Sequence, residues 1–247
     1  IRLNGTVLSP LEFRDNLALL FGYLPANLSK LCDGCDEVFT VAHAMACKKG
    51  GLVHQRHDGY AGEFGCFLEA GLTPSAVRNE PIIKNGCARA GGEGSNKDDA
   101  AELRGDISAF GFWGRGKTAV FDVRIVDTDQ RSYRGKEPET VLAAHEASKK
   151  SKYLGACHEA RKSFVPLVSS VDGMMAKEHT AATRRLAALL SMKWGRHYSE
   201  VCGFLRSRLS FALAWSFSRM LRAERNHEPR SQPMVGWESG EGLRLYR

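Results

Sequence analysis

Residues Thr118–Val126 read TAVFDVRIV, a run dominated by β-branched and aromatic side chains. Such residues suit the pleated surface of a sheet, and branched ones lose rotamer freedom in a helix. Side chains alternate along a strand, so Val120, Asp122, Arg124 and Val126 share one face and Phe121, Val123 and Ile125 the other. With apolar residues on both faces, the sheet must be covered on both sides. Asp122 sits in the middle of this run, where a carboxylate is costly unless a cation or a metal ion pairs with it. Arg124 or Arg104 is one such partner; a bound metal is the other.

The surrounding pattern supplies the cover. Leu103–Phe112 (LRGDISAFGF) predicts the preceding strand, joined through the tight turn Gly114-Arg115-Gly116-Lys117. Val77–Ile83 predicts a short strand before that, and Phe164–Val171 one after. Helices are expected from Ser9-Pro10, with Ser as N-cap and Pro at the first position, and over Leu52–Ala70 and Pro138–Lys162. Two more follow over Lys177–Trp194 and Ser199–Arg225. Asn85–Asp99 lacks any apolar period and reads as a loop or insertion, and the tail beyond Pro229 reads as loose. The expected class is therefore α/β or α+β, a mixed central sheet flanked by helices. The expected organisation is an N-terminal helix (1–29), a Cys-rich knuckle (30–51), a central core (52–175), a basic helical appendage (176–228) and a tail (229–247).

Cys32-x2-Cys35-x7-His43-x3-Cys47 gathers three thiols and an imidazole. Zinc takes four tetrahedral S and N ligands, and a Cys-x2-Cys turn brings two sulfurs to one ion. All four positions are filled by protein, which describes a structural site; chance clustering of thiols is the other reading. Lys48-Lys49-Gly50-Gly51 follows, either a phosphate contact or a solvated turn. The cysteines number seven, an odd and scattered set, so an intracellular, reducing compartment is expected rather than a disulfide framework.

Asp106 and Asp122 fall on the two strands of one predicted hairpin, where they can converge on Mg2+. A Mg2+ there would lower the pKa of a water attacking a phosphodiester. Glu80 and Glu63 are candidates for a third carboxylate, or surface charges. In Lys149-Lys-Ser-Lys-Tyr153, Lys149 and Tyr153 are four apart on one helix face, placing a cation for a transition state or simply an exposed basic helix.

The charge is unevenly placed. The net +7 arises from residues 181–247, with 12 Lys+Arg against 5 Asp+Glu, whereas residues 1–180 balance at 23 of each. Arg184, Arg185, Arg206 and Arg208 recur on two helices that also carry apolar faces. This suggests a polyanion partner, DNA or RNA, held by phosphate contacts, or else a hairpin that only stabilises the fold. No stretch is long and apolar enough to span a membrane. The first residue is Ile1, so the chain is expected to be a fragment or a cut from something longer.

Taken in order, the Cys-Cys-His-Cys spacing, Arg56-His57-Asp58, Arg104-Gly-Asp106, Phe121-Asp122-Val and Lys149-x3-Tyr153 carry a resemblance over roughly residues 30–172. They resemble the C-terminal restriction-endonuclease-like domain of site-specific LINE-type retrotransposons, a branch of the PD-(D/E)xK nuclease superfamily. The resemblance implies Asp106 and Asp122 as catalytic metal ligands, Lys149 as the catalytic lysine with Tyr153 beside it, and the Cys/His set as a zinc knuckle. It also implies DNA as substrate, a reverse transcriptase domain upstream and a nuclear location. Lys48, Lys49, Arg56 and His57 join the expected nucleic-acid contacts. Two positions depart from the family pattern: Gly105 stands in place of Pro, and Arg124 in place of the strand lysine. Arg keeps its proton at neutral pH, so Arg124 is left to stabilise charge. A metal-dependent endonuclease is expected, with an inactive nucleic-acid-binding domain as the alternative. A zinc hydrolase using His54 and His57 is disfavoured, because no carboxylate is suitably spaced.

Overall fold

A computed structural model describes residues 6–84 and 102–225. The helices are α1 (Pro10–Leu20), α2 (Val41–Ala46), α3 (Leu52–Gly71), α4 (Pro138–Glu159), α5 (Lys177–Trp194) and α6 (Tyr198–Arg222). The strands are β1 (Val77–Asn79), β2 (Ile82–Lys84), β3 (Leu103–Arg104), β4 (Ile107–Phe110), β5 (Thr118–Val126) and β6 (Ser163–Ser170). The expected loop at Asn85–Asp99 and the tail beyond Pro229 lie outside the described residues.

The fold is α+β, with a mixed four-stranded sheet in the order β1-β4-β5-β6. β1, β4 and β5 run antiparallel in turn, while β5 and β6 are parallel. A parallel neighbour needs a crossover, and α4 provides it. The sheet is covered on both faces. Phe121 and Val123 enter the largest core with Tyr60, Phe64 and Leu68 of α3, Leu186 and Leu190 of α5, and Leu205 and Leu209 of α6. On the opposite face, Val120 packs with Tyr153, Cys157 and Phe164, and Val126 with Val141, Leu142 and Val168. Asp122 stands between these two smaller clusters, under α4.

The expected strand Val77–Ile83 divides in two. Glu80 takes φ 47°, and the chain turns there before Pro81. β1 then pairs with β4, while β2 pairs with β3 in a separate two-stranded sheet. Leu103–Phe112 likewise breaks at Gly105-Asp106. Gly105 is packed so tightly that an added Cβ would meet Val120 Cγ1 at 2.4 Å. Its N–H also donates to Pro81 O at 3.1 Å, a bond that proline could not make. Glycine at this position thus has a local cause.

Residues 176–228, expected as an appendage, supply α5 and α6 to the principal core. α1 is fixed by a capping box at Ser9 and Glu12 and packs on α6, where Asn16 Nδ2 donates to Ala214 O at 3.1 Å.

Candidate functional site

The β4–β5 register begins with Ile107 opposite Phe121, so Asp106 and Asp122 are the chain neighbours of that first pair. Asp106 N donates to Phe121 O at 3.0 Å, holding the two strands together at that step. α4 crosses the same face. Lys149 Nζ forms an ion pair with Asp122 Oδ2, with Asp122 almost fully buried. Neither Arg124 nor Arg104 is the partner: Arg124 is exposed, and Arg104 pairs with Glu102 and with Glu80 at 3.8 Å. Tyr153 stacks on Phe164 at 5.0 Å and directs its hydroxyl toward Asp122, while Lys152 Nζ donates to that hydroxyl at 3.1 Å.

Asp106, Asp122, Lys149 and Tyr153 therefore meet in one place. The two carboxylates are not equivalent. Burial raises the Asp122 pKa, with Lys149 opposing and Asp106 adding repulsion. Asp106 is also disfavoured by burial, but His57, the Val123 N–H and Lys149 together hold it below its ordinary value. Two neighbouring acids held apart in this way are a pattern of metal and acid–base sites.

His57 lies on the first turns of α3, and its Nε2 donates to Asp106 Oδ2 at 3.0 Å while Nδ1 faces Asp58 Oδ1 at 3.0 Å. Asp106 is the main cause of a His57 pKa raised to about 9. His57, expected as a nucleic-acid contact, is a partner of Asp106. His145 is a residue that the sequence did not single out. It lies one helical turn before Lys149, and Tyr133 Oη and His145 Nε2 are 2.9 Å apart. Burial, Arg124 and Lys149 lower its pKa, leaving a neutral imidazole beside two cations. Only its spacing of four from Lys149 could have drawn notice.

The proposed third carboxylates do not join the acid pair. Glu63 is buried in an ion pair with Arg208, Oε1 to Nε at 3.0 Å, and burial lifts its pKa to about 7 against the pull of that guanidinium. Glu80 is exposed and faces Arg104.

In the Cys-rich module the four ligand atoms of Cys32, Cys35, His43 and Cys47 all lie within 4.8 Å of one another. Cys32 and Cys35 Sγ are each 3.9 Å from Cys47 Sγ, and Cys35 Sγ is 3.4 Å from His43 Nε2. A tetrahedron with metal–sulfur bonds of about 2.3 Å has sulfur–sulfur edges of roughly 3.8 Å. The set thus fits a metal ion and is compatible with structural zinc. His43 presents its other nitrogen, Nδ1, to Glu37 Oε2 at 3.1 Å, the usual outer support of a ligating imidazole. Gly50 and Gly51, at φ 71° and 67°, then turn the chain into α3, a conformation that disfavours side chains.

Several arginines, including the expected contacts Arg56, Arg185 and Arg208, are occupied within the fold. Arg208 is buried against Glu63, so it does not face a phosphate. Arg185 Nε donates to Phe112 O at 2.8 Å. Arg222 grips Asp15 at 2.6 and 2.8 Å, and Arg219 donates to Gln55 at 2.9 Å. Arg225 is buried over the Phe39 ring of the Cys-rich module. Arg56 is buried too, with Nη1 3.9 Å from Met45 Sδ. Arg184, Arg206, Lys48 and Lys49 are exposed.

No protein-family model matches the chain, and no curated protein matches it. Among the described residues, no helix is long and apolar enough to cross a membrane.

Proposed function

We propose that the chain is a metal-dependent DNA endonuclease domain of the restriction-endonuclease-like class, from a LINE-type retroelement. The observation that carries this reading is the closeness of Asp106 to the Asp122–Lys149 pair beneath α4. Asp122 Oδ2 is a buried carboxylate oxygen facing Lys149, with the Tyr153 hydroxyl also directed at this carboxylate. Such an atom suits a cation ligand, and Asp106 is the second. A Mg2+ held there would neutralise phosphate charge and lower the pKa of a bound water. Lys149 places positive charge where the phosphorus gains negative charge. His57 orients Asp106, and the Tyr153–Phe164 stack fixes the helix face that presents Lys149. Arg124 contributes charge at the rim.

Zinc in the Cys-rich module is structural in this reading, since its ligands form a closed set. The partners are DNA, or RNA, and a reverse transcriptase domain; the location is the nucleus.

A second reading is a nucleic-acid-binding domain without activity. Both acids already have cationic partners, and among the described residues no third carboxylate joins them. Nicking of supercoiled plasmid in Mg2+ or Mn2+ separates the two. The nuclease reading expects nicking by the wild type and none by Asp122→Ala, with DNA binding retained. A wild type that binds DNA but nicks at no metal concentration leaves the second reading.

A further inference from the structure

α4 covers β5 and β6 but stops short of β4 and β1. Among the described residues the rest of that face is open and forms a groove of about 800 Å³. Residues paired across the strands share a face, so the row Arg78–Ser108–Val120–Phe164 runs from bare sheet to beneath α4. Along β4 the same face carries Ser108 and Phe110, and Asp106 precedes the strand directly. The groove's rim is one hydrogen bond from the acids, since Glu80 N donates to Asp106 O at 2.8 Å. From Asp106 to Phe110 is four residues, at most about 14 Å along the chain.

The lining has a definite chemistry. Phe110 is 54% exposed on the floor, so its ring is open to a stacking partner. Arg78 is exposed beside it, and Lys162 reaches the opposite rim, where one of its protons goes to Ile82 O at 3.1 Å. Ser108 and Thr118 add hydroxyls. Glu80, the one carboxylate among the lining residues, is opposed by Arg104. A flat aromatic face flanked by two cations and hydroxyls suits a stacked base with phosphates on either side. A duplex, whose bases are already stacked, has no use for the ring.

We infer that this groove binds one unpaired strand of nucleic acid leading to or from the acid pair, with a base on Phe110 and phosphates on Arg78 and Lys162. The inference rests on the nuclease reading for its substrate class.

The test is fluorescence anisotropy with labelled oligodeoxythymidine and with a blunt duplex, using the full chain without divalent metal other than zinc. Phe110→Ala is expected to weaken single-strand binding at least about fivefold while leaving the duplex unaffected. Arg78→Gln is expected to lower the salt slope for the single strand by about 0.7. Both positions are exposed, and an unchanged melting temperature verifies that each variant folds. Unchanged single-strand affinity and slope in both variants overturn the inference, as does equal loss on single strand and duplex. A wild type that nicks plasmid while these variants bind normally sinks the groove alone. A wild type that does not nick, with Phe110→Ala still defective, sinks the nuclease alone.

Discussion

His57 on α3 donates from Nε2 to Asp106 Oδ2 at 3.0 Å, joining the helix that leaves the Cys-rich module to the acid pair on the sheet. The same carboxylate oxygen accepts from Val123 N at 2.5 Å. Asp106 is thereby oriented from two elements through one oxygen.

That contact makes the metal-free protein sensitive to alkaline pH. The His57 pKa is raised from 6.5 to about 9, so its stabilising contribution is complete below about 6.5 and is lost as pH rises through about 9. Asp106 is depressed, so its contribution is present above its unfolded value near about 4 and disappears in acid. Urea midpoints compared between wild type and His57→Gln should differ most near pH 6 and converge toward pH 10. A constant difference across that range would show that the charge on His57 is irrelevant.

Glu63 and Arg208 form a buried pair, so removing one partner leaves an uncompensated charge. Arg208→Ala is expected to cost about 3–5 kcal/mol in chemical denaturation. Glu63→Gln is expected to cost at least as much, because Arg208 keeps its proton and loses its Glu63 counter-charge, whereas Glu63 can take up a proton. DNA affinity of folded Arg208→Ala should equal wild type at low temperature. A selective loss of DNA binding without loss of stability would return Arg208 to the nucleic-acid surface.

The Cys-rich module should bind one zinc ion per chain, measured by elemental analysis of protein purified without added metal. Cys47→Ser should lose it. The module's small core contains Cys32, Met45 and Leu52 together with Met220 and Leu221 of α6. Chelation is therefore expected to lower the melting temperature and to expose the end of α6 to proteolysis, since metal binding is local folding free energy. Full metal loss with no change in either measurement would remove the structural role.

Exposure divides the arginines by their effect on salt dependence. Arg184→Ala with Arg206→Ala is expected to reduce the slope of log affinity against log salt for duplex DNA by up to about 1.8. Arg222→Ala, which releases Asp15, should leave the slope unchanged and lower stability instead. The reverse pattern would mean that the helices bind through a different face.

The sequence made β5, α3, α4, β6 and α5 legible, because each carries a long period or a capping signal. The same strand period placed Asp122 on one face with Arg124, and its cost of burial pointed to a partner. Which cation would pair with it depended on how α4 lies across the sheet, and no local pattern contains that crossing. The break at Glu80 was hidden because a positive φ at a glutamate has no compositional signature. The arginines misled for a related reason. Charge counts do not distinguish an arginine in water from one gripping a carboxylate some two hundred positions away, as Arg222 grips Asp15.

The placement of Lys149 on α4 rather than on β5 has a mechanical side. Had the cation stood on the strand, backbone geometry alone would fix its spacing from Asp122. Here the spacing is set by the docking of a helix, through Tyr153 on Phe164 at one end and Val141 and Leu142 on Val168 at the other. A slip of α4 by one residue would turn Lys149 away by about 100°. Substitutions at Leu142 or Phe164, touching neither acid nor base, would then detune the charge pair by shifting its bearing.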